Sequence, residues 1–259
     1  MNIYDKITII LVSYNSDKLI SKNIEVLKKF PSIIVDNSKS NKLNNIIREF
    51  KNIKLIIPDK NLGYGKGNNL GVTNSTTPYI LIANPDVILD EKSILQLYLT
   101  FLENITNAGI LGPSLYDTKM NRRTNGSISY IKKTQGKKLS NAQNNLPEAN
   151  ISCEFLVGCC YLMKRDFFNQ LGGFDKNFFM YFEDNDLCDR VIKKGKLVME
   201  IPSAKIIHLE NSSSNKNFLH NTKLALIHKI SSYIYLKKNL PIKSFIYHLL
   251  LNFLDYLQR

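Results

Sequence analysis

Short apolar runs punctuate the first part of the chain, and each closes on polar residues. Ile7 to Val12 (ITIILV) is bounded by Ser13, Tyr14 and Asn15, and Ser32 to Val35 (SIIV) ends at Asp36 and Asn37. Ile53 to Ile57 (IKLII) ends at Pro58, and Tyr79 to Ala83 (YILIA) closes on Asn84-Pro85-Asp86. Unbroken apolar runs of this length predict strands buried on both faces. The intervening segments read as helices, so the alternation predicts βαβ units around a parallel sheet. Polar residues then gather at the carboxyl ends of the strands, the edge where open α/β sheets bind ligands.

The second half is less regular. Ile110 to Leu115 predicts another strand, Leu187 to Lys194 a helix, and Leu197 to Ile201 a strand that ends at Pro202. Phe155 to Met163 is apolar and contains Gly158. Between them, Lys119 to Lys138 carries seven basic residues and no acidic one, a solvated loop. From Phe218 the pattern turns helical, with Ile242, Phe245, Ile246, Leu249, Leu250, Phe253, Leu254 and Leu257 at three- and four-residue spacing. The expected division is an α/β domain over residues 1–212 and an amphipathic helical region over 213–259.

Composition bounds the reading. A chain of 259 residues that is 44% hydrophobic can bury one sizeable core with an appendage. Its 35 Lys and Arg against 22 Asp and Glu leave a net charge of +13, which favours polyanionic partners such as phosphorylated substrates, an anionic membrane surface or nucleic acid. The basic residues are dispersed apart from one loop, and no RNA- or DNA-binding motif accompanies them, which argues against nucleic acid. Cys153, Cys159, Cys160 and Cys188 lack paired zinc spacing, as expected of a reduced cytoplasmic chain. The N-terminal apolar run is too short for a secretory segment, and no stretch reaches the roughly 20 apolar residues that cross a bilayer. Membrane contact is therefore expected to be peripheral.

Several motifs offer chemistry, each with a plainer alternative. Asn61 to Gly71 (NLGYGKGNNLG) follows a strand and is either a phosphate cradle or a flexible turn; Gly67 after Lys66 departs from a Walker loop, and Asn68 replaces a dinucleotide-fingerprint glycine. Asn84-Pro85-Asp86, with Asp90 and Glu91 nearby, is a turn or a carboxylate site for a divalent cation on a diphosphate. Glu183-Asp184-Asn185-Asp186 opens a helical pattern and is either a set of caps or a general base, desolvated by the preceding Phe178-Phe179-Met180-Tyr181-Phe182. His208 at a strand end is structural or a further metal ligand with Asp86.

Taken in order, these motifs resemble the family-two inverting glycosyltransferases, in their bacterial rhamnosyltransferase-like branch. The resemblance runs from Val12-Ser13-Tyr14-Asn15 through Val35-Asp36-Asn37-Ser38, Asn61-Leu62-Gly63-Tyr64 and Asn84-Pro85-Asp86 to Gly172-Gly173-Phe174-Asp175 and Tyr181-x-Glu183-Asp184-x-Asp186-Leu187-Cys188-x-Arg190. It implies a GT-A fold, a Rossmann-like mixed sheet flanked by helices. Ser13, Tyr14, Asn15 and Asp36 would line the nucleotide pocket, and Asn61, Gly63 and Asn68 the loop over the donor. Asp86 matches the last carboxylate of the metal-binding motif, with Asn84 in place of its first, and the cofactor is Mg²⁺ or Mn²⁺.

Asp184 matches the catalytic base. Gly158 and Glu183 fall on the acceptor side, and Arg190 would support the carboxylates or reach a phosphate. The implied partners are a nucleotide-sugar donor, dTDP-rhamnose or a UDP-hexose, and a saccharide or lipid-linked acceptor of cell-surface polysaccharide assembly. For the C-terminal stripe, packing on the catalytic domain, pairing in a homodimer and lying in an anionic leaflet compete. A catalytically inactive, transferase-like scaffold is the rival reading of the whole chain.

Overall fold

The apolar runs become strands of a mixed sheet. A computed structural model describes residues 2–123, 125–127, 148–209, 218–242 and 245. β1 (Ile7–Ser13) leads through short helices α1 (Asp17–Lys22) and α2 (Ile24–Leu27) to β2 (Ser32–Asp36), and α3 (Lys42–Ile47) leads to β3 (Ile53–Ile56). After α4 (Gly63–Thr73) come β4 (Tyr79–Ala83), β5 (Val87–Ile88), α5 (Glu91–Glu103) and β6 (Ala108–Tyr116). The short β7 (Arg122–Arg123), β8 (Gly126–Ser127), β9 (Ile151–Cys153) and β10 (Phe155–Leu156) precede β11 (Cys160–Lys164) and α6 (Arg165–Gln170). Last are α7 (Glu183–Lys193), β12 (Leu197–His208) and α8 (Phe218–Asn239).

The main sheet runs β3-β2-β1-β4-β11-β6-β12-β5. Its first four strands are parallel, as the alternation predicts, and register Ser13 with Asp36 at one edge. β11 breaks the pattern by running antiparallel to β4 and β6, with Cys160 opposite Ala83. The chain thus enters β11 from the edge where β4 leaves, which places Gly158 and Cys159 beside Asn84.

Both faces of the sheet are covered. Ile7, Ile9 and Leu11 of β1 pack into a cluster with Leu27, Phe30, Ile94 and Phe101. The intervening Ile10 faces a second cluster with Val72, Phe168, Leu187 and Val191. Each such buried side chain contributes about 1.5–3 kcal/mol, and the period of two sends alternate residues to opposite layers.

Three local departures from the sequence reading have physical causes. The glycine-rich stretch is itself a helix, α4, rather than a turn or loop before one. A Cβ at Gly67 would lie 2.9 Å from Val12 and one at Gly71 2.4 Å from Ile10, so glycine here allows the helix to approach β1 closely. β12 does not stop at Pro202; its pairing with β6 shifts between Ile201 and Lys205, and the proline, which has no N–H to donate, sits in that irregularity. The strand consequently reaches His208. Finally, α7 starts at Glu183, ahead of the apolar spacing that begins at Leu187.

Of the basic segment 119–138, residues 124 and 128–138 lie outside the described residues, as do 246–259 of the C-terminal stripe. Arg122 and Arg123 are described, and pair with Glu200 and Asp117. Among the described residues no helix is long and apolar enough to cross a membrane.

Candidate active site

At the carboxyl ends of β1, β2 and β4, several polar atoms are shielded from water yet have no hydrogen-bond partner. They are Ser13 Oγ, Asp36 Oδ2, Asn84 Oδ1 and Asp86 Oδ1, joined by Asn68 Oδ1 on α4, the helix that packs on β1. A buried polar atom left unpaired costs about 1–3 kcal/mol, so this concentration along one edge is what a site shaped for a polar ligand requires. Asp36 Oδ1 is already engaged, accepting from Ser38 N at 3.1 Å and Ser38 Oγ at 2.6 Å. Tyr14 is 56% exposed, and Asn15 turns the chain away from β1 with φ 53°.

The glycine-rich helix is tied to the same edge. Asn37 Oδ1 accepts from Leu62 N at 3.1 Å and its Nδ2 donates to Gly63 O at 3.2 Å. Asn61 Oδ1 accepts from Gly63 N at 2.8 Å, and Asn68 Nδ2 donates to Tyr64 O at 3.1 Å. Asn61 therefore holds the first amide of α4 from just outside the helix, while Asn68 keeps a free carbonyl oxygen.

Asn84, Pro85 and Asp86 form a turn, with Val87 N donating to Asn84 O at 3.2 Å. The long β12 pairs His208 with Val87, which sets His208 Nε2 3.5 Å from Asp86 Oδ1. Asp90 and Glu91, the other acids of this stretch, are committed elsewhere. Asp90 caps α5 by accepting from Ser93 N at 2.8 Å, and Glu91 pairs with Lys29 and Tyr4.

These groups fit a hard divalent cation in chemistry: a carboxylate oxygen, an amide oxygen and an imidazole nitrogen gathered at one strand end, both oxygens without hydrogen-bond partners. Among the described residues no three His, Cys, Asp or Glu side chains converge to hold a metal unaided. A cation here would complete its shell from substrate phosphates and water, as Mg²⁺ and Mn²⁺ sites with few protein ligands do.

A cavity of about 460 Å³ collects residues from distant parts of the chain. Tyr64, Asn84, Val157, Gly158, Met180, Tyr181, Phe182, Glu183, Asp184, His208 and His228 all border it. The predicted residues Asn84, Gly158, Glu183, Asp184 and His208 thus meet in one space, whereas Ser13, Asp36 and Asn61 lie apart from it along the sheet edge.

Asp184 is held by three hydrogen bonds. Its Oδ2 accepts from Gly158 N at 3.1 Å, and its Oδ1 accepts from Asn185 N at 2.8 Å and Asn185 Nδ2 at 3.1 Å. Burial raises its pKa while these donors pull the other way. The neighbouring Glu183 has a buried Oε2 without a partner, and burial, reinforced by the charge of Asp184, pushes its pKa up to about 8. The two adjacent buried carboxyls are unequally supported: three donors stabilise the charge of Asp184, whereas Glu183 Oε2 has none.

The backbone just before these acids is strained. Tyr181 and Phe182 have φ of 72° and 66°, in a left-handed region that bulky residues rarely enter and that costs about 1–3 kcal/mol each. Such strain persists where the surroundings over-determine it. Phe178 and Phe182 pack on Tyr235 of α8, Ser231 Oγ donates to Met180 O at 2.8 Å, and Tyr235 Oη donates to Asp189 Oδ2 at 2.5 Å. Lys238 Nζ adds ion pairs with Asp175 at 2.7 Å and Asp186 at 2.5 Å. The described part of the C-terminal region is accordingly packed on the acidic motif.

Arg190 serves that packing. Its Nε pairs with Asp186 Oδ2 at 2.8 Å and its Nη1 donates to Leu171 O at 2.8 Å, so the carboxylate it supports is Asp186 and not Asp184. Three contributors went unselected at the level of sequence: Tyr64, whose Oη donates to Gly158 O at 2.6 Å, Asn185, and His228 of α8. Tyr64 and Asn185 lie inside the motifs themselves, whereas His228 carries no local signal.

The likeness to known proteins follows this geometry. Residues 8–172 match the family described as Glycosyl transferase family 2, and residues 140–212 match the N-terminal domain of galactosyltransferase. N-acetylglucosaminyl-diphospho-decaprenol L-rhamnosyltransferase of Mycobacterium tuberculosis is 30% identical over 221 residues, 73% of this chain and 68% of that protein. Rhamnosyltransferase WbbL of Escherichia coli is 25% identical over 235 residues, 81% of this chain and 86% of that one.

Among solved structures, GalNAc-T7 with UDP, GalNAc and Mn²⁺ superposes with a TM-score of 0.61 at 10% identity, over 89% of this chain, which spans 50% of that one. The mannosyltransferase PcManGT from Pyrobaculum calidifontis, in complex with GDP-Man and Mn²⁺, gives 0.57 at 11% identity over 99% of this chain and 82% of that one. The architecture is GT-A. With a family match across more than half its length and an acidic cavity at the expected edge, the chain belongs to glycosyl transferase family 2, the nucleotide-sugar-dependent glycosyltransferases.

Proposed function

We propose that this enzyme transfers rhamnose from dTDP-rhamnose, with inversion, to a hydroxyl of a saccharide or lipid-linked saccharide acceptor in cell-surface polysaccharide assembly. The donor sugar rests on the relatives named as rhamnosyltransferases. The observation that carries the reaction is the meeting of Asp184 with Asn84 and His208 in one cavity, between motifs about a hundred residues apart.

Asp184 takes the proton of the acceptor hydroxyl as that oxygen attacks the anomeric carbon, on the side opposite the departing nucleoside diphosphate. Gly158 N–H and the two Asn185 donors orient its carboxylate. Glu183, whose pKa is raised by burial, hydrogen-bonds the acceptor beside it. Ser13, Asp36 and Asn68 supply unpaired acceptors for the nucleoside. Asn84, Asp86 and His208 would hold a divalent cation, which offsets negative charge on the leaving diphosphate.

A lipid-linked acceptor also implies a place. Exposed Lys223, Lys229 and Lys237 with Leu226 and Ile230 on α8 support peripheral attachment to the cytoplasmic side of an anionic membrane. Sedimentation with anionic and neutral vesicles separates this from pairing of two copies through the same helix.

The deciding experiment is transfer from dTDP-rhamnose to an N-acetylglucosaminyl diphosphate bearing a short prenyl chain. Asp184→Asn should abolish transfer while keeping dTDP-rhamnose affinity. Near-native transfer by that variant refutes the assignment of the base.

A further inference from the structure

The cavity has a wall that the family match does not contain. The matched regions end at residue 212, yet His228, in the middle of α8, borders the same space as Asp184. Its ring centroid lies 5.3 Å from that of Tyr181 and 5.1 Å from that of Phe182, the strained residues that immediately precede the catalytic acids. α8 is fixed there by Ser231, Tyr235 and Lys238, so the imidazole is presented by a clamped helix rather than a free tail.

His228 is an exposed residue, and among the described residues neither ring nitrogen has a hydrogen-bond partner. An imidazole can donate from one nitrogen and accept at the other, which suits the paired hydroxyls of a sugar ring. Its neighbours around the cavity, Phe155, Met180, Tyr181 and Phe182, are apolar surfaces of the kind that receive the carbon face of a sugar. The donor-side groups Asn84 and His208 come from strand ends, whereas His228 comes from a helix beyond the catalytic acids.

We infer that His228 is an acceptor-binding residue that hydrogen-bonds a hydroxyl of the acceptor saccharide, so that α8 helps to set acceptor specificity. The inference rests on the transferase reading above. In it, the donor half of the reaction is read by the family domain and part of the acceptor half by the C-terminal helix.

The test separates the ring from its nitrogens. His228→Phe keeps an aromatic ring against Tyr181 and Phe182 but removes both polar atoms. With dTDP-rhamnose and the short-prenyl N-acetylglucosaminyl diphosphate, it should raise acceptor KM about three- to tenfold, the worth of one hydrogen bond. Because the contact is made equally before and during reaction, kcat should stay within about twofold, and dTDP-rhamnose affinity and Tm should not move. His228→Gln should recover part of the lost affinity. An unchanged acceptor KM in His228→Phe, or a parallel loss of donor affinity, overturns the inference and leaves the transferase standing. Absence of transfer by the unmodified enzyme with this pair overturns the inference together with the reading on which it rests.

Discussion

Adding one methyl group at Gly158 should cripple transfer while leaving the donor bound. A Cβ at that position would lie 2.9 Å from both Cβ and Oδ2 of Asp184 and 3.3 Å from its Cγ. Ordinary contact begins near 3.4 Å, so the carboxylate must retreat by about 0.5 Å, and the 3.1 Å bond from Gly158 N must stretch with it. Misplacement by about 1 Å costs on the order of a hundredfold in rate. Half that shift, with a weakened hydrogen bond, places the loss in kcat for Gly158→Ala at about ten- to a hundredfold, or about 1.4–2.7 kcal/mol of barrier. Overpacking also costs stability, about 1–3 kcal/mol, so kcat is measured well below the variant's Tm and beside titration calorimetry with dTDP-rhamnose. A variant with near-native kcat and intact fold refutes the claim that Gly158 sets the position of Asp184.

Asp86→Ala should weaken dTDP binding in the presence of Mn²⁺ by at least tenfold and leave the metal-free affinity nearly unchanged; equal calorimetric titrations with and without the substitution sink its metal role. Glu183 has a folded-state pKa of about 8, above its ordinary 4.5, so the folded chain holds this proton more tightly and stability declines as pH rises from about 4.5 to about 8. Glu183→Gln should flatten that decline in Tm, and an unaltered slope contradicts it. Lys238→Ala strips a cation from Asp175 and buried Asp186 and should destabilise by about 1–2 kcal/mol, less than a fully buried pair because Lys238 is 38% exposed; denaturant unfolding reads this directly. Glu200→Ala, which abandons Ser114, Arg122 and the Asn125 and Gly126 amides in the core, should cost about 3–5 kcal/mol by the same measure.

The strands were legible because burial on both faces leaves an uninterrupted apolar run, and Tyr79–Ala83 is bounded in the structure as it is in the pattern. Candidate site residues at strand ends stood out for the same reason, since where the apolar runs stop, Ser13, Asp36, Asn84 and Asp86 carry the buried unpartnered atoms. What was hidden depended on partners distant in sequence. The glycines of α4 resemble a loop locally and make sense only against Val12 and Ile10. Pro202 reads as a terminator until β6 is seen to pair on both sides of it. Asp90 and Asp86 are alike as letters, but one caps α5 and the other meets His208. Glu200 and His228 sit in patterns that announce a strand and a helix, with nothing to mark a buried anchor or a cavity wall.

Gly158 and Cys159 have a wider consequence. Cys159 O accepts from Asn84 N at 2.8 Å, Gly158 N donates to Asp184, and Gly158 O accepts from Tyr64 Oη at 2.6 Å. Two consecutive residues therefore bridge, through backbone atoms alone, Asn84 and Asp184, the groups proposed for the leaving-group and proton-accepting sides. Under the proposed reaction, pockets at either end can be reshaped for a new sugar while this backbone bridge is kept. An insertion or deletion between Val157 and Cys160 should shift Asn84 relative to Asp184 and, under the proposed reaction, impair transfer even where both side chains are kept.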